Sequence, residues 1–239
     1  MVHRLLTAAA AAAAALGVSG AAHAQGKAPP ATDLSGVYFN EHPAKALTTV
    51  DGSPILLTAA GKAALAANAA KAASSKIPPA GFNMDACLPF GPTRMLQQPY
   101  PLEVVQKGDT VVLIWERSHA WERVYMNEKP NPDADPTYMG YAVGHWDGPT
   151  LVVDTSLFNN GALMDDNGLP HSDSLQMERR LRKVQGGKAL EIVATVTDPV
   201  MYIKPWTVRA VLPLRPDIKI EEFVCGLKTF ETRYTRAGR

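Results

Sequence analysis

A short stretch in the middle of the chain combines side chains that can move protons and bind anions. Glu116 and His119 are followed within a few residues by Arg123 and Tyr125. A carboxylate and an imidazole can exchange protons with a substrate, and a guanidinium can hold a carboxylate group. These residues lie at the end of one predicted strand and on the next. They predict either an acid–base site at the mouth of a barrel or a solvated charged rim.

A second set of candidates follows later in the chain. His171 could transfer a proton with Asp173 orienting its ring. Arg179 falls, by strand alternation, on the same face as three apolar residues, namely Leu175, Met177 and Leu181. Because an unpaired buried charge is costly, Arg179 is expected either to pair with a carboxylate or to bind an anionic ligand group.

Two further candidates come from the strands between these sets. Asp154 ends a strand and is expected to face the barrel cavity, with Arg179 as a candidate partner. Trp146 belongs to a group of aromatic residues that predicts either core packing or a platform for an aromatic ligand.

The sequence contains none of the motifs that mark the common cofactor enzymes. We find no metal-binding H-x-H, H-E-x-x-H or C-x-x-C spacing, no nucleophile elbow, no P-loop and no dinucleotide fingerprint. We therefore expect no metal and no cofactor. A serine hydrolase, a nicotinamide enzyme and a kinase are disfavoured.

The N-terminus predicts export. Arg4 precedes an alanine-rich apolar run, and Ala22-His23-Ala24 fits the cleavage site of a signal peptide over residues 1–24. Cleavage there leaves 215 of the 239 residues and lowers the formal net charge from +1 to zero. We therefore expect a periplasmic or secreted protein that binds a small molecule, with no nucleic-acid partner and no membrane association after cleavage. The sequence predicts no oligomeric state.

Two cysteines, Cys87 and Cys225, are the only ones in the chain. In an oxidising compartment an even pair predicts one disulfide, and two buried thiols are the alternative.

The remaining pattern predicts a tether over 25–33 and a single β-barrel domain over 34–239. Thr58 can cap an alanine-rich helix over 59–73, which is the one helix expected. Short strands then recur about every ten residues with turn signals between them. About eight to ten antiparallel strands in up-and-down order favour a lipocalin-like barrel over a sandwich, because closure removes exposed sheet edges. The expected strands are 34–40, 102–106, 110–117, 121–126, 138–146, 150–155, 174–184, 189–197, 206–214 and 218–225.

Several phrases of the sequence resemble those of a large family of secreted bacterial lipocalin-like β-barrel proteins. They are PYPLEVVQ at 99–106, DPTYMG at 135–140, GHWDGPTLVVDT at 144–155, HSD at 171–173, Asp198-Pro199 and Pro205-Trp206. The resemblance implies a lipocalin-type barrel and candidate site residues at His171, Asp173, Glu178 and Arg179. This chain has His145 where the family pattern has arginine and Leu163 where it has an aromatic residue. His145 is therefore a candidate acid or base specific to this chain.

These observations predict a cofactor-independent acid–base enzyme, namely a lyase, isomerase or decarboxylase. It would act on a small aromatic or apolar acid inside the barrel. Arg179 would hold the carboxylate, and His171 or His119 would move the proton with Asp173 or Glu116 as its partner. One alternative is a periplasmic carrier for a small hydrophobic ligand. Another is an envelope protein with a filled barrel.

Overall fold

A computed structural model describes residues 33–77, 79–82 and 88–223 of the chain. The predicted signal peptide over 1–24, nearly all of the tether, and both Cys87 and Cys225 lie outside the described residues. The disulfide and the leader therefore stay predictions.

Nine strands form one sheet in which each strand lies beside the next in sequence. They are β1 Gly36–Tyr38, β2 Leu102–Lys107, β3 Thr110–Trp115, β4 Trp121–Met126, β5 Tyr141–Asp147, β6 Thr150–Ser156, β7 Gln176–Val184, β8 Ala189–Thr197 and β9 Trp206–Pro213. The predicted barrel of about eight to ten strands is confirmed.

The two ends of the sheet meet and nearly close the barrel. Tyr38 of β1 bridges Leu214 at the end of β9. The Phe39 N–H donates to the Pro213 carbonyl at 3.1 Å, and the Arg215 N–H donates to the Val37 carbonyl at 2.7 Å. The predicted strand over 218–225 is wrong for residues 218–223, which are not in a strand. Residue 223 is the last one described. Since β1 already occupies the edge of β9, no pairing position is left there for a tenth strand.

One strand pair departs from the predicted antiparallel order. β4 and β5 run parallel, and their register joins only Val124 to Ala142, Tyr125 to Val143 and Met126 to Gly144. The connection over 127–140 must therefore return to the starting end of β4 before β5 begins. The sequence predicted that this strand begins at residue 138, whereas β5 begins at Tyr141. Gly140, with φ of +77°, is the last residue of the irregular connection before β5.

The inward faces of the strands fill the barrel with side chains. On β7, Met177, Arg179 and Leu181 are buried, as the alternation predicted. On β3 the sequence left the inward face ambiguous. The structure buries the row that contains Leu113 and Trp115. Together with large residues of the other strands, these form a continuous apolar core.

One long helix lies outside the barrel, with short helical turns elsewhere. α1 spans Ala59–Ser75, and the Thr58 hydroxyl accepts the Gly61 N–H at 3.0 Å, as predicted for its cap. A Cβ at Gly61 would lie 2.2 Å from the Met201 carbonyl oxygen, so only glycine lets the helix approach the turn after β8. α2 spans Pro92–Met95, and 3₁₀ turns lie at Pro79–Gly81, Arg117–His119 and Gln185–Gly187. Within the described ranges, no helix combines the length and apolar character that crossing a bilayer requires.

Candidate functional site

The barrel wall has a gap between β4 and β5. β3 pairs with β4 from Trp121 to Tyr125, whereas β5 pairs only with Val124–Met126. The first half of β4 therefore has a neighbouring strand on one side only. A cavity of about 350 Å³ lies at this gap, between Trp121–Arg123 on one side and Tyr138–Ala142 on the other.

Aromatic rings form much of the cavity lining. Trp121, Tyr125, Tyr138 and Tyr141 all border it. The rings of Tyr125 and Tyr141 are stacked, with centroids 4.7 Å apart and planes 10° from parallel. Trp121 is 65 % exposed, which is unusual for so large an apolar side chain. The cavity thus offers flat surfaces suited to a ring-containing ligand.

A single guanidinium provides positive charge at this cavity. The Arg123 side chain is exposed and lies 5.0 Å from the centroid of the Tyr125 ring. None of the ion pairs found in the described part of the chain includes Arg123, so its charge is available to an anion. The sequence placed Arg123 and Tyr125 in a substrate site, and both line this cavity.

His119 also borders the cavity, and its backbone is unusual. Ser118 and His119 both have positive φ, at 58° and 50°. Consecutive non-glycine residues in this region store strain, which is found most often at functional sites. The His119 Nε2 accepts the main-chain N–H of Phe223 at 2.8 Å, so in this arrangement the ring proton is assigned to Nδ1.

Glu116 is not part of the cavity lining. It is 3 % exposed, and its Oε2 accepts the Glu221 N–H at 3.0 Å. Of the four side chains expected to share a site, the structure therefore brings His119, Arg123 and Tyr125 to one cavity. Glu116 instead helps to hold the C-terminal segment that Phe223 also belongs to.

A buried ion pair lies beside the cavity. Glu122 of β4 borders the cavity, and both its carboxylate oxygens accept hydrogen bonds from the Arg179 guanidinium. Arg179 also donates to the Thr155 hydroxyl at 2.9 Å. Of the two predicted roles for Arg179, the structure shows the ion pair. Glu122 was not among the predicted site residues, although it shares one face of β4 with Val124 and so places a second charge on an inward face.

The expected pairing of Asp154 with Arg179 is wrong. Inward positions on β6 are taken by Val153 and Thr155, so Asp154 is exposed on the outer surface. Asp154, His145 and Glu178 line a separate outer groove of about 890 Å³. Trp146 is half-buried and packs against the apolar core, which is the core alternative predicted for it.

His171 and Asp173 do not form the predicted proton-transfer pair. His171 is 8 % exposed, its Nδ1 lies 3.0 Å from the Ser172 carbonyl oxygen, and its ring packs against Phe158. Asp173 is exposed. The carboxylate that acts electrostatically on His171 is Asp198, which Ser172 contacts. Proximity in the sequence does not bring the two groups together, because the loop buries His171 and leaves Asp173 exposed.

The burial of His171 predicts how stability depends on pH. Desolvation lowers the pKa of His171 below its ordinary value of 6.5, although the Ser172 carbonyl and Asp198 oppose this. The unfolded state therefore binds more protons than the folded state near this pH. The free energy of unfolding keeps its full contribution from His171 above pH 6.5 and decreases as the pH falls below 6.5. We expect His171→Gln to remove the contribution of His171 to the slope of the free energy of unfolding against pH. That contribution is at most about 1.4 kcal/mol per pH unit. Urea unfolding of both proteins between pH 5 and pH 8 measures it.

His145→Gln is the matched control, because His145 is exposed. It should leave the pH dependence of the wild type unchanged. Parallel stability curves for the wild type and His171→Gln would contradict the prediction.

Among the described residues, we find no group of three or more histidine, cysteine, aspartate or glutamate side chains that could hold a metal ion. Comparison of the chain with protein-family models and with curated proteins gives no match. Membership of the secreted lipocalin-like family therefore stays a prediction.

Proposed function

We propose that this protein binds a small aromatic carboxylic acid in the wall cavity between β4 and β5. The observation that carries the proposal is the Arg123 guanidinium, free of any described carboxylate, beside the stacked rings of Tyr125 and Tyr141. The rings would contact the apolar body of the ligand, and Arg123 would hold its carboxylate.

The size of the cavity supports a ligand with a single ring. Ligand sites of roughly 300–1,000 Å³ are typical, and about 350 Å³ is at the small end of that range. The packed barrel interior supports a site in the wall rather than in the centre. The proposal includes the periplasmic or secreted location that residues 1–24 predict and the family that the sequence phrases resemble.

A cofactor-independent acid–base enzyme, such as a lyase or isomerase, is the second candidate. His119 borders the same cavity with its imidazole, and Glu122 borders it although its carboxylate is buried on the inward face of β4. Both groups already have partners, since Nε2 of His119 accepts the Phe223 N–H and Glu122 is held by Arg179. We therefore favour binding over turnover. Incubation with aromatic acids separates the two, because product formation abolished by His119→Gln would select the enzyme.

We expect Arg123→Gln to weaken the binding of 3-(4-hydroxyphenyl)propanoate about tenfold to a hundredfold. A charge-assisted hydrogen bond contributes about 1.5–3 kcal/mol, which corresponds to this range. Isothermal titration, or fluorescence of the exposed Trp121, measures the affinity.

Arg209→Gln is the matched control, because Arg209 lies on β9 and is paired with Glu191 at 2.6 Å. It should bind the acid as the wild type does. Equal affinities of Arg123→Gln and the wild type, or equal affinities for the acid and the corresponding alcohol, would overturn the proposal.

A further inference from the structure

We infer that His119 is a pH-sensitive latch for the C-terminal segment, residues 219–223. A neutral His119 ring holds this segment against the barrel, and a protonated ring releases it. The inference goes beyond the proposed function and requires no ligand. It rests on the main-chain hydrogen bond that the His119 ring accepts and on the contacts that surround this bond.

The C-terminal segment crosses the end of the barrel. The strand registers and one bridge align one residue each of β9, β1, β2 and β3, namely Leu214, Tyr38, Leu102 and Trp115. The chain leaves this row after Leu214 and reaches the turn after β3, so it passes the ends of β1 and β2. Since the segment is not in a strand, the side chains of that turn hold it in place of a sheet ladder.

Three side chains of the turn between β3 and β4 contact the segment. Glu116 accepts the Glu221 N–H at 3.0 Å. The Nε2 of His119 accepts the Phe223 N–H at 2.8 Å, and the two rings pack edge to face with centroids 6.2 Å apart. The Arg117 guanidinium lies 4.7 Å from the centroid of the Phe223 ring. The turn therefore binds both the main chain and the terminal ring of the segment.

The bond between His119 and Phe223 requires a neutral imidazole. A main-chain N–H can only donate, so the Nε2 of His119 must carry a lone pair. A protonated imidazole is a donor at both nitrogens and offers the Phe223 N–H no acceptor. Imidazole ordinarily changes charge between pH 5 and pH 8, and His119 is exposed to solvent. The bond is therefore present at the upper end of this pH range and is lost towards its lower end.

The described titratable groups around His119 are of other side-chain types. They are Glu116 and Arg117 on its own turn, Glu122, Arg123 and Tyr125 on β4, Tyr138 and Tyr141 across the cavity, Tyr100 against the Phe223 ring, and Lys219, Glu221 and Glu222 on the segment. Among all these types, imidazole alone has an ordinary titration between pH 5 and pH 8. A change in the segment over this range is therefore assigned to His119.

The latch also connects the segment to the wall cavity. His119 borders that cavity, so protonation frees its ring and adds a positive charge at the cavity rim. Ser118 and His119 have positive φ, which non-glycine residues keep only where surrounding contacts hold them. Loss of the Phe223 bond removes one of these contacts from the turn.

Solvent exchange of the Phe223 amide, measured by NMR and corrected for its intrinsic rate, tests the latch. In the wild type we expect about twofold to tenfold less protection at pH 5 than at pH 8, which corresponds to one net hydrogen bond. His119→Gln should give equal protection at both pH values, because its amide oxygen can accept the same N–H and does not titrate. His145→Gln is the matched control and should keep the wild-type dependence, because His145 is exposed on β5.

Equal protection of the wild-type amide at pH 5 and pH 8 would overturn the inference, as would the same decrease in His119→Gln. Nitrogen chemical shifts of the His119 ring provide a readout that needs no variant. We expect the ring proton on Nδ1 at pH 8, and a proton on Nε2 at that pH would also overturn the inference. Because these measurements contain no ligand, their outcome is independent of the proposed function.

Discussion

Glu122→Gln is expected to lower the free energy of unfolding by about 3–5 kcal/mol, the typical cost of removing one partner from a buried ion pair. Glu122 and Arg179 are both buried, and Arg179 has no other carboxylate in an ion pair among the described residues. The substitution keeps the volume of the side chain and removes its charge, which leaves the guanidinium uncompensated in the core. Urea or guanidinium unfolding monitored by circular dichroism measures the loss.

Two control variants distinguish this effect from general damage. The double variant Glu122→Leu with Arg179→Met removes both charges together, and we expect it to recover most of the lost stability. Asp147→Asn breaks the exposed ion pair with Arg180, which spans 2.6 Å, and should change stability by no more than about 1 kcal/mol. A Glu122→Gln variant as stable as Asp147→Asn would show that the buried pair is not needed to neutralise Arg179.

Asp198→Ala is expected to lower the free energy of unfolding by about 3–4 kcal/mol. The Asp198 carboxylate is 1 % exposed and accepts the Ser172 N–H at 2.6 Å and the Ser172 hydroxyl at 2.8 Å. It also accepts the N–H groups of Val200 and Met201, each at 3.1 Å. Alanine leaves the two buried donors of Ser172 without an acceptor and releases the loop before β7 from the turn after β8.

Asp173→Ala is the control for this prediction. Asp173 belongs to the same sequence phrase as Ser172 but is exposed, so its removal should change stability by less than about 0.5 kcal/mol. Denaturant midpoints for the two variants give the comparison. Similar midpoints for Asp198→Ala and Asp173→Ala would show that the Asp198 contacts contribute little.

The family resemblance placed candidate catalytic groups at His171 and Asp173, and the structure gives part of that phrase a packing role. Ser172 and Asp198 hold two connections together, and His171 is buried beside them. The proposed cavity instead uses Trp121, Arg123, Tyr125 and Tyr141, of which the sequence analysis selected Arg123 and Tyr125. Trp121 and Tyr141 belonged to the group of aromatic residues predicted to form either the core or a ligand platform, because an exposed tryptophan cannot be told from a buried one by sequence alone.

Local patterns along the chain were sufficient for most elements of the fold, and the strand predicted over 218–225 is the exception. Alternation of apolar residues and turn signals predicted the strands and the barrel, and the Thr58 cap and the alanine run predicted α1. The same alternation put Arg179 on the inward face of β7. These inferences succeed because side-chain facing in a strand depends on the backbone of that strand and on nothing more distant.

Pairing between distant strands decided the partner of Arg179, the position of the wall cavity and the closure of the sheet. Whether Arg179 met Asp154 or Glu122 depended on which faces point into the closed barrel. The parallel step from β4 to β5 opened the wall cavity, and β1 took the edge of β9 that a tenth strand needed. Closure and register are set by the packing of the whole sheet, so they cannot be predicted from any single stretch of this sequence.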